Sequence, residues 1–188
     1  MTMPRLDDLS AIQQACWQQL AACTTDKAHP WRVMGLATSA GDVPDLRSVV
    51  LREVDPAAQT LMFFTDARSP KVGQITAQPQ AMLLAWSPAL SWQLRLRVRL
   101  AVQTTGLAVS SRWARLKMSP AAQDYLSPLP PGAPLSGHIP PPTPDRDSRN
   151  HFAVVRAVVQ QMDWLELRPG GHRRAIFPAV GPAEWVQA

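Results

Sequence analysis

The sequence contains few of the residues that cross-link a protein, bind metal or anchor it in a membrane. Its 188 residues include two cysteines, Cys16 and Cys23, which lie seven residues apart in one predicted helix, too far along its axis for a disulfide. Four scattered histidines match no metal-ligand spacing, so we expect no metal site. No apolar run reaches the ~18–20 residues of a membrane helix. The polar first ten residues do not resemble a signal peptide, so we expect a cytoplasmic protein without membrane association.

Acidic residues are absent from one long internal stretch. Residues 67–123 contain no Asp or Glu but eight Arg and Lys, so the rest of the chain carries −3 within a net charge of +5. Sixteen of the nineteen cations are arginine, which favours bidentate contacts with anions. The stretch could therefore bind a phosphate ligand, a nucleic acid or carboxylates of a second subunit. Alternatively, it forms a basic surface that only water covers. Scarce lysine, and an arginine face without interleaved aromatic residues, argue against nucleic acid.

The apolar pattern predicts a mainly β (α+β) protein. In residues 91–104, apolar side chains alternate with polar and cationic ones, as in a long strand with one apolar and one cationic face. Most predicted strands are adjacent in sequence, which favours an antiparallel barrel with peripheral helices. We expect a single domain, 1–188, with a proline-rich surface loop or arm at about 127–149. The predicted strands are 31–38, 46–54, 60–65, 81–86 and 91–104, followed by two or three strands within 152–160, 162–167 and 173–177. The predicted helices are 9–23, one from residue 69, 107–117 and 119–125.

The strongest local signal for a ligand site is the segment FFTDARSPK (63–71). A predicted strand ends at Thr65, and Ser69 begins a helix. Helix N-termini expose unpaired N–H groups and a partial positive charge, so they bind phosphates. Thr65 and Ser69 add hydroxyl donors, and Arg68 and Lys71 add full charges, although a capped helix with exposed cations would have the same pattern.

Two further basic segments are less specific. In RSVVLR (47–52), the two arginines lie five residues apart and point to opposite faces of a regular strand. Both can serve one ligand only if the strand bulges or one of them lies at its end. The segment RPGGHRR (168–174) is either a basic β-turn or a loop that closes on a ligand.

Taken in order, these segments resemble the pyridoxamine 5′-phosphate oxidase-like family of FMN-binding split barrels. That family's pattern is R-x-V-L-L-K, F-x-x-Y-T-N-x-x-S-x-K, an N-P turn, a strand ending in W, a strand opening R-Q-V-x-V, and a late W followed by R-x-H-x-R. The resemblance is close over roughly residues 30–105 and looser over 150–178. It implies a split β-barrel, FMN as the cofactor, and a homodimer with FMN at the interface. The corresponding segments are RSVVLR (47–52), FFTDARSPK (63–71), QP (78–79), AMLLAW (81–86), SWQLRLRV (91–98) and MDWLELRPGGHRRAIF (162–177).

The resemblance also implies which residues contact FMN. Arg47, Ser69 and Lys71 would hold the phosphate at the start of the helix. Gln93 would reach FMN from the partner subunit, and Arg174 would approach the ring. The remaining candidates, which lie along the flavin, are Ser48, Val49, Val50, Arg52, Phe64 and Thr65.

Departures from the family pattern lie on the substrate side. Arg52 replaces a lysine, Gly170 replaces the first arginine of R-x-H-x-R, and the family's phosphate clamp, Y-x-x-x-R-P-x-x-S, has no clear match in residues 110–127. Arg52, His172 and Arg174 remain as candidate substrate contacts. We therefore predict a flavin-dependent oxidoreductase for an unidentified small anionic or polar substrate, with the vitamin B6 phosphates turned over poorly.

Two other functions stay open. One is a non-catalytic flavin-binding or electron-relay module of the same fold, and the other is a basic barrel that binds nucleic acid. No catalytic residue is assigned, because flavin itself carries the electrons. A shifted helix that brought Arg112, Arg115 or Lys117 to the clamp position would restore binding of a phosphate substrate.

Overall fold

The strands of the computed structural model form one antiparallel sheet, in the order β3-β2-β1-β4-β5-β6-β7-β8. The structure describes residues 5–135, 137 and 150–188, so residues 136 and 138–149 of the predicted proline-rich arm lie outside the described residues. The strands are β1 (Val33–Ala40), β2 (Val43–Asp55), β3 (Thr60–Asp66), β4 (Gln80–Ser87), β5 (Trp92–Gln103), β6 (Phe152–Glu166), β7 (Arg173–Pro178) and β8 (Glu184–Val186).

The sheet closes into a barrel because β3 also pairs with β6. β6 is 15 residues long and pairs with β5 along its length. On its other side, residues 152–158 pair with β3 and residues 161–166 pair with β7. β6 therefore belongs both to the closed barrel and to the β7–β8 extension, which confirms the predicted antiparallel barrel.

The sequence predicted two or three strands within 152–160, 162–167 and 173–177. The structure has β6 and β7 there, because residues 152–160 and 162–167 form the single strand β6. The polar pair at 160–161 suggested a break, whereas the structure absorbs it in an irregularity where the register with β5 shifts between Arg97 and Val98. The three-residue strand β8 was not predicted, because it is too short to show an alternating pattern.

Three helices surround the barrel. α1 (Leu9–Thr25) begins at Asp8, whose side chain accepts a hydrogen bond from the N–H of Ala11 at 2.9 Å, as the sequence predicts for a cap. Its inward face joins the main core, and both cysteines on it are buried and free. Among the described residues, no helix is long and apolar enough to cross a membrane. The other helices are α2 (Pro70–Ala77) and α3 (Leu107–Leu116), with short 3₁₀ helices at Pro30–Arg32 and Pro120–Tyr125.

A bulge in β2 decides where its arginines lie. The pairing of β2 with β3 shifts between Leu51 and Glu53, so Arg52 is the extra residue. A bulge interrupts the alternation of side chains between the two faces of a strand. This is the condition under which Arg47 and Arg52 can serve neighbouring parts of one site.

Candidate functional site

Two adjoining cavities gather most of the predicted site residues. The first, of about 210 Å³, is here called the lysine cavity; the second, of about 230 Å³, is called the tyrosine cavity. Lys71 and Pro131 line both, so the cavities are continuous. The lysine cavity is lined by Asp45, Arg47, Ser69, Pro70, Lys71, Pro131 and Gly132. The tyrosine cavity is lined by Ser48, Val49, Val50, Arg52, Phe64, Thr65, Asp66, Lys71, Asp124, Tyr125 and Pro131.

Lys71 is held by hydroxyl groups at the start of α2. Its Nζ donates to Ser69 Oγ at 2.6 Å and to Thr65 Oγ1 at 3.1 Å. Ser69 is the residue preceding α2, and its side chain makes no capping hydrogen bond. Burial lowers the pKa of Lys71, and the nearby charge of Arg47 lowers it further, while Asp66 and Asp45 act in the opposite direction. Two cations held together in a part-buried cavity form a natural site for an anion.

Arg47 reaches the same cavity from β2 through a small polar network. Its guanidinium donates to Gln74 Oε1 at 2.9 Å and to the Thr38 hydroxyl, and it forms an ion pair with Asp45. Gln74 in turn donates to Asp45 Oδ2 at 2.8 Å, and this hydrogen bond is the main reason why the pKa of Asp45 is lowered. Asp45 was not predicted as a site residue, although its position two residues before Arg47 on one strand face was a usable signal.

Arg52 forms the boundary between the tyrosine cavity and a third one. Its guanidinium carbon lies 5.9 Å from the centre of the Phe64 ring. Its Nε is buried and finds no hydrogen-bond partner among the described residues. Burial raises the pKa of Tyr125, and the charge and hydrogen bond of Arg52 partly offset that rise. Arg52 is thus a cation held against aromatic residues, with a donor that a ligand could satisfy.

The third cavity, called the arginine cavity, has about 270 Å³ and shares Arg52 and Phe64 with the tyrosine cavity. Glu53 lies among its cations: Arg112 contacts the Glu53 carboxylate at 2.6 Å and Arg115 contacts it at 3.4 Å. The lining residues are Thr24, Arg32, Arg52, Glu53, Phe64, Arg112, Arg115, Leu116 and Ser119. The structure therefore places the α3 arginines beside Arg52, where the sequence showed no clear substrate clamp.

Gln93 and Arg174 lie outside these three cavities, on the outer face of the sheet. Gln93 pairs across the strands with Trp86 and Leu165, and Leu165 pairs with Arg174, so the four side chains form a row on one face. His172 is exposed, in the loop before β7. The structure therefore brings together nine of the eleven predicted FMN contacts and leaves Gln93 and Arg174 apart from them.

Arg174 is held by a carboxylate on the adjacent strand. Asp163 Oδ1 accepts from Arg174 Nε at 2.9 Å, and Asp163 also forms an ion pair with Arg95. Burial of Asp163 is the largest single influence on its pKa and would raise it. The hydrogen bonds and charges of the two arginines together outweigh burial, so the pKa is lowered.

At least half of the cations in the acid-free stretch are paired with described residues of this chain. Arg68 pairs with Asp66, Arg95 with Asp163, and the two α3 arginines with Glu53. Each of these carboxylates lies outside residues 67–123. The stretch therefore has less uncompensated charge for a nucleic acid than its composition suggests.

Comparison with known proteins supports the family resemblance found in the sequence. The family model "Pyridoxamine 5′-phosphate oxidase, FMN-binding domain" matches residues 14–104. Residues 14–104 are therefore similar to the FMN-binding domain of this family. A pyridoxine/pyridoxamine 5′-phosphate oxidase of Maricaulis maris is 42% identical over 65 residues, which cover 34% of this chain but only 28% of that oxidase.

Two solved structures show that the chain has the FMN-binding split-barrel fold of this family. A pyridoxamine 5′-phosphate oxidase-related, FMN-binding protein of Nostoc punctiforme matches with a TM-score of 0.76 and 24% identity, over 99% of this chain and 100% of that one. PhzG of Burkholderia lata, solved with tetrahydrophenazine-1-carboxylic acid, matches with a TM-score of 0.72 and 17% identity, over 100% and 98% of the two chains.

Proposed function

We propose that this chain binds FMN and places its phosphate in the lysine cavity. The observation that carries the proposal is Lys71: its ammonium group contacts two hydroxyls, and none of the described carboxylates forms an ion pair with it. Arg47 lies in the same cavity, and α2 begins there. A phosphate monoester would supply the missing negative charge and the acceptor oxygens. The donors present therefore fit FMN, the cofactor of this family's domain.

The flavin ring would extend from the phosphate into the tyrosine cavity. Ser48, Val49 and Val50 provide the β2 wall, and Phe64 and Thr65 provide the β3 wall. When bound, FMN supplies hydride or single-electron transfer. The part of the protein is to orient the ring and to set the charge around it. Arg52 at the boundary places one cation between the ring and the arginine cavity.

The working unit would be a homodimer. Gln93 and Arg174 lie away from the cavities of their own chain, so their predicted contacts with FMN require a second copy. The face that carries them also exposes large apolar residues, and a monomer rarely leaves such a surface in water. With their exposed fractions, these residues are Val33 52%, Leu46 68%, Met82 36%, Leu84 42% and Trp86 42%.

The substrate would be a small anion bound in the arginine cavity next to the flavin. Arg32, Arg52, Arg112 and Arg115 provide four positive charges, and Glu53 removes one of them. Because Glu53 engages both α3 arginines, a phosphate dianion would have to displace Glu53 to use their charges, whereas a monoanion such as a carboxylate needs only Arg32 and Arg52. We therefore infer an FMN-dependent oxidoreductase that oxidises or reduces a small carboxylate-bearing molecule, and that turns over the B6 phosphates poorly.

The absorption spectrum of the purified protein tests the cofactor. Fresh protein should be yellow, and the flavin released on denaturation should chromatograph as FMN rather than FAD. Colourless protein that takes up no added FMN would refute the proposal. Steady-state turnover with an electron acceptor then separates an enzyme from a flavin carrier.

Substrate choice is tested by oxygen consumption with pyridoxine and pyridoxamine 5′-phosphates at up to ~1 mM, the top of the usual KM range. A kcat/KM above ~10⁴ M⁻¹s⁻¹, an ordinary enzyme's value, would contradict the inference about phosphate dianions. Glu53→Gln is the matched variant: it keeps the side-chain shape and releases the α3 arginines, so it should improve turnover of phosphates if Glu53 opposes them.

A further inference from the structure

The turn at 66–68, just before α2, contacts the start of the proline-rich segment and a residue just after its end. The Arg68 guanidinium donates to the backbone carbonyls of residues 127, 128 and 129, at 2.8, 3.1 and 3.3 Å. At the other end of the segment, the N–H of Ala67 donates to the carbonyl of His151 at 2.7 Å. The same turn leads directly to Ser69 and Lys71.

Asp66 holds Arg68 in the geometry that these contacts need. Its carboxylate is buried and accepts from Arg68 Nη2 at 2.7 Å and from Arg68 Nε at 3.1 Å. The backbone N–H of Arg68 donates to the same carboxylate at 2.7 Å. Because Asp66 neutralises the charge and the carbonyls occupy the outer nitrogens, Arg68 is not a free cation for a ligand. It binds backbone instead.

The segment that Arg68 holds forms a wall of the candidate cofactor site. Pro131 lines the lysine and tyrosine cavities, and Gly132 lines the lysine cavity. Gly132 has a φ of +87°, a conformation that favours glycine, and Ala133 N–H closes a turn on the carbonyl of Pro130 at 3.1 Å. The wall is therefore a turn whose position depends on its attachment to Arg68.

We propose that Arg68 is a positioning residue that holds the 127–132 segment against the lysine cavity and so slows the release of FMN. The proposal rests on the FMN site proposed above. Arg68 occupies a variable position of the motif that the resemblance is based on, so that motif gives it no role. Arg68 does not contact the ligand itself. It holds the segment that covers the cavity, so its effect would be on the rate at which FMN dissociates.

The test compares Arg68→Ala, Arg68→Lys and the wild type, with Arg99→Ala as the control. Arg99 is an exposed arginine of β5 outside the three cavities. FMN release is followed by the return of flavin fluorescence after dilution of the holoprotein. We expect release at least about tenfold faster in Arg68→Ala, a factor in the range lost with charge-assisted hydrogen bonds. Arg68→Lys should lie between it and the wild type, because one ammonium cannot span three carbonyls and Asp66. Arg99→Ala should match the wild type.

Hydrogen exchange of the apoprotein provides a readout that does not depend on FMN. Peptides covering residues 126–135 should exchange faster in Arg68→Ala, while peptides from β6 should not change. If exchange rises but FMN release stays at the wild-type rate, the segment does not close the site and the proposal fails. If neither changes, Arg68 does not hold the segment and the proposal also fails.

A wild type that takes up no FMN would instead refute the proposed cofactor, with exchange still reporting whether Arg68 holds the segment. Pro131→Ala tests the wall independently in case the Arg68 variants misfold. It shortens a side chain of the wall and leaves the ion pair between Arg68 and Asp66 in place. It should also release FMN faster, and an unchanged rate would count against the wall.

Discussion

Replacement of Lys71 by methionine is the most direct test of the cofactor site. Methionine keeps much of the length of the aliphatic chain and removes the ammonium group, which is half-buried and contacts Ser69 and Thr65. A hydrogen bond to a charged group contributes about 1.5–3 kcal/mol. Loss of that contribution corresponds to an FMN dissociation constant raised by about 10–150-fold. The methionine chain still fills the cavity wall, so loss of packing should add little.

The assay is quenching of flavin fluorescence on titration of FMN with apoprotein, carried out in parallel with riboflavin. Riboflavin has the same ring and no phosphate, so its affinity should be the same for wild type and Lys71→Met. A variant that weakens both ligands equally would show that Lys71 does not act on the phosphate. Unchanged FMN affinity would refute the placement of the phosphate in the lysine cavity.

Three further outcomes are expected. FMN affinity should fall as pH rises, and the fall should start below the ordinary lysine pKa of about 10.4, because the pKa of Lys71 is lowered. Lys71→Arg, titrated by the same quenching assay, should abolish this fall in affinity. Mixing Arg47→Ala chains with Gln93→Ala chains should restore one intact site per mixed dimer, measured as bound FMN, whereas a monomer on light scattering that binds FMN tightly would contradict the interface. Asp163→Asn should cost about 1–2 kcal/mol in urea unfolding at pH 7, since its partner arginines are part-exposed. Because the pKa of Asp163 is lowered, its stabilisation is present above the ordinary carboxyl pKa of about 3.9 and is lost as pH falls further. The unfolding free energies of wild type and Asp163→Asn should therefore converge in acid. A difference that does not depend on pH would contradict the ion pairs.

The sequence predicted strands well where one face is buried and the other is not. β5 is observed at Trp92–Gln103 against a prediction of 91–104, because its alternation is long and regular. The sequence does not decide the number of strands at β6, because two adjacent glutamines interrupt the pattern, whereas pairing with β5 continues through them. Hydrogen bonds to a neighbouring strand are a tertiary property, and local polarity does not report them.

The site was predictable only in its local part. Ser69 and Lys71 come from one continuous motif, and Arg47 from the strand that the resemblance identified. Asp45 was missed as a site residue, and the α3 arginines were considered only as an alternative clamp on a shifted helix, because their positions depend on the packing of distant elements around the β2 bulge. The expected roles of Gln93 and Arg174 stay predictions, since both concern a second subunit.

The continuity of β6 has a consequence for motion. One half of this strand pairs with β3, which carries Phe64, and the other half pairs with β7, which carries Arg174. Pairing with β5 continues across the irregularity at residues 159–161, so the two halves should move together on the nanosecond timescale. Any opening or closing on ligand binding would then be confined to the connections, above all residues 167–172 and the 127–132 turn. Backbone order parameters should accordingly be high and uniform across β6 and fall at those two loops.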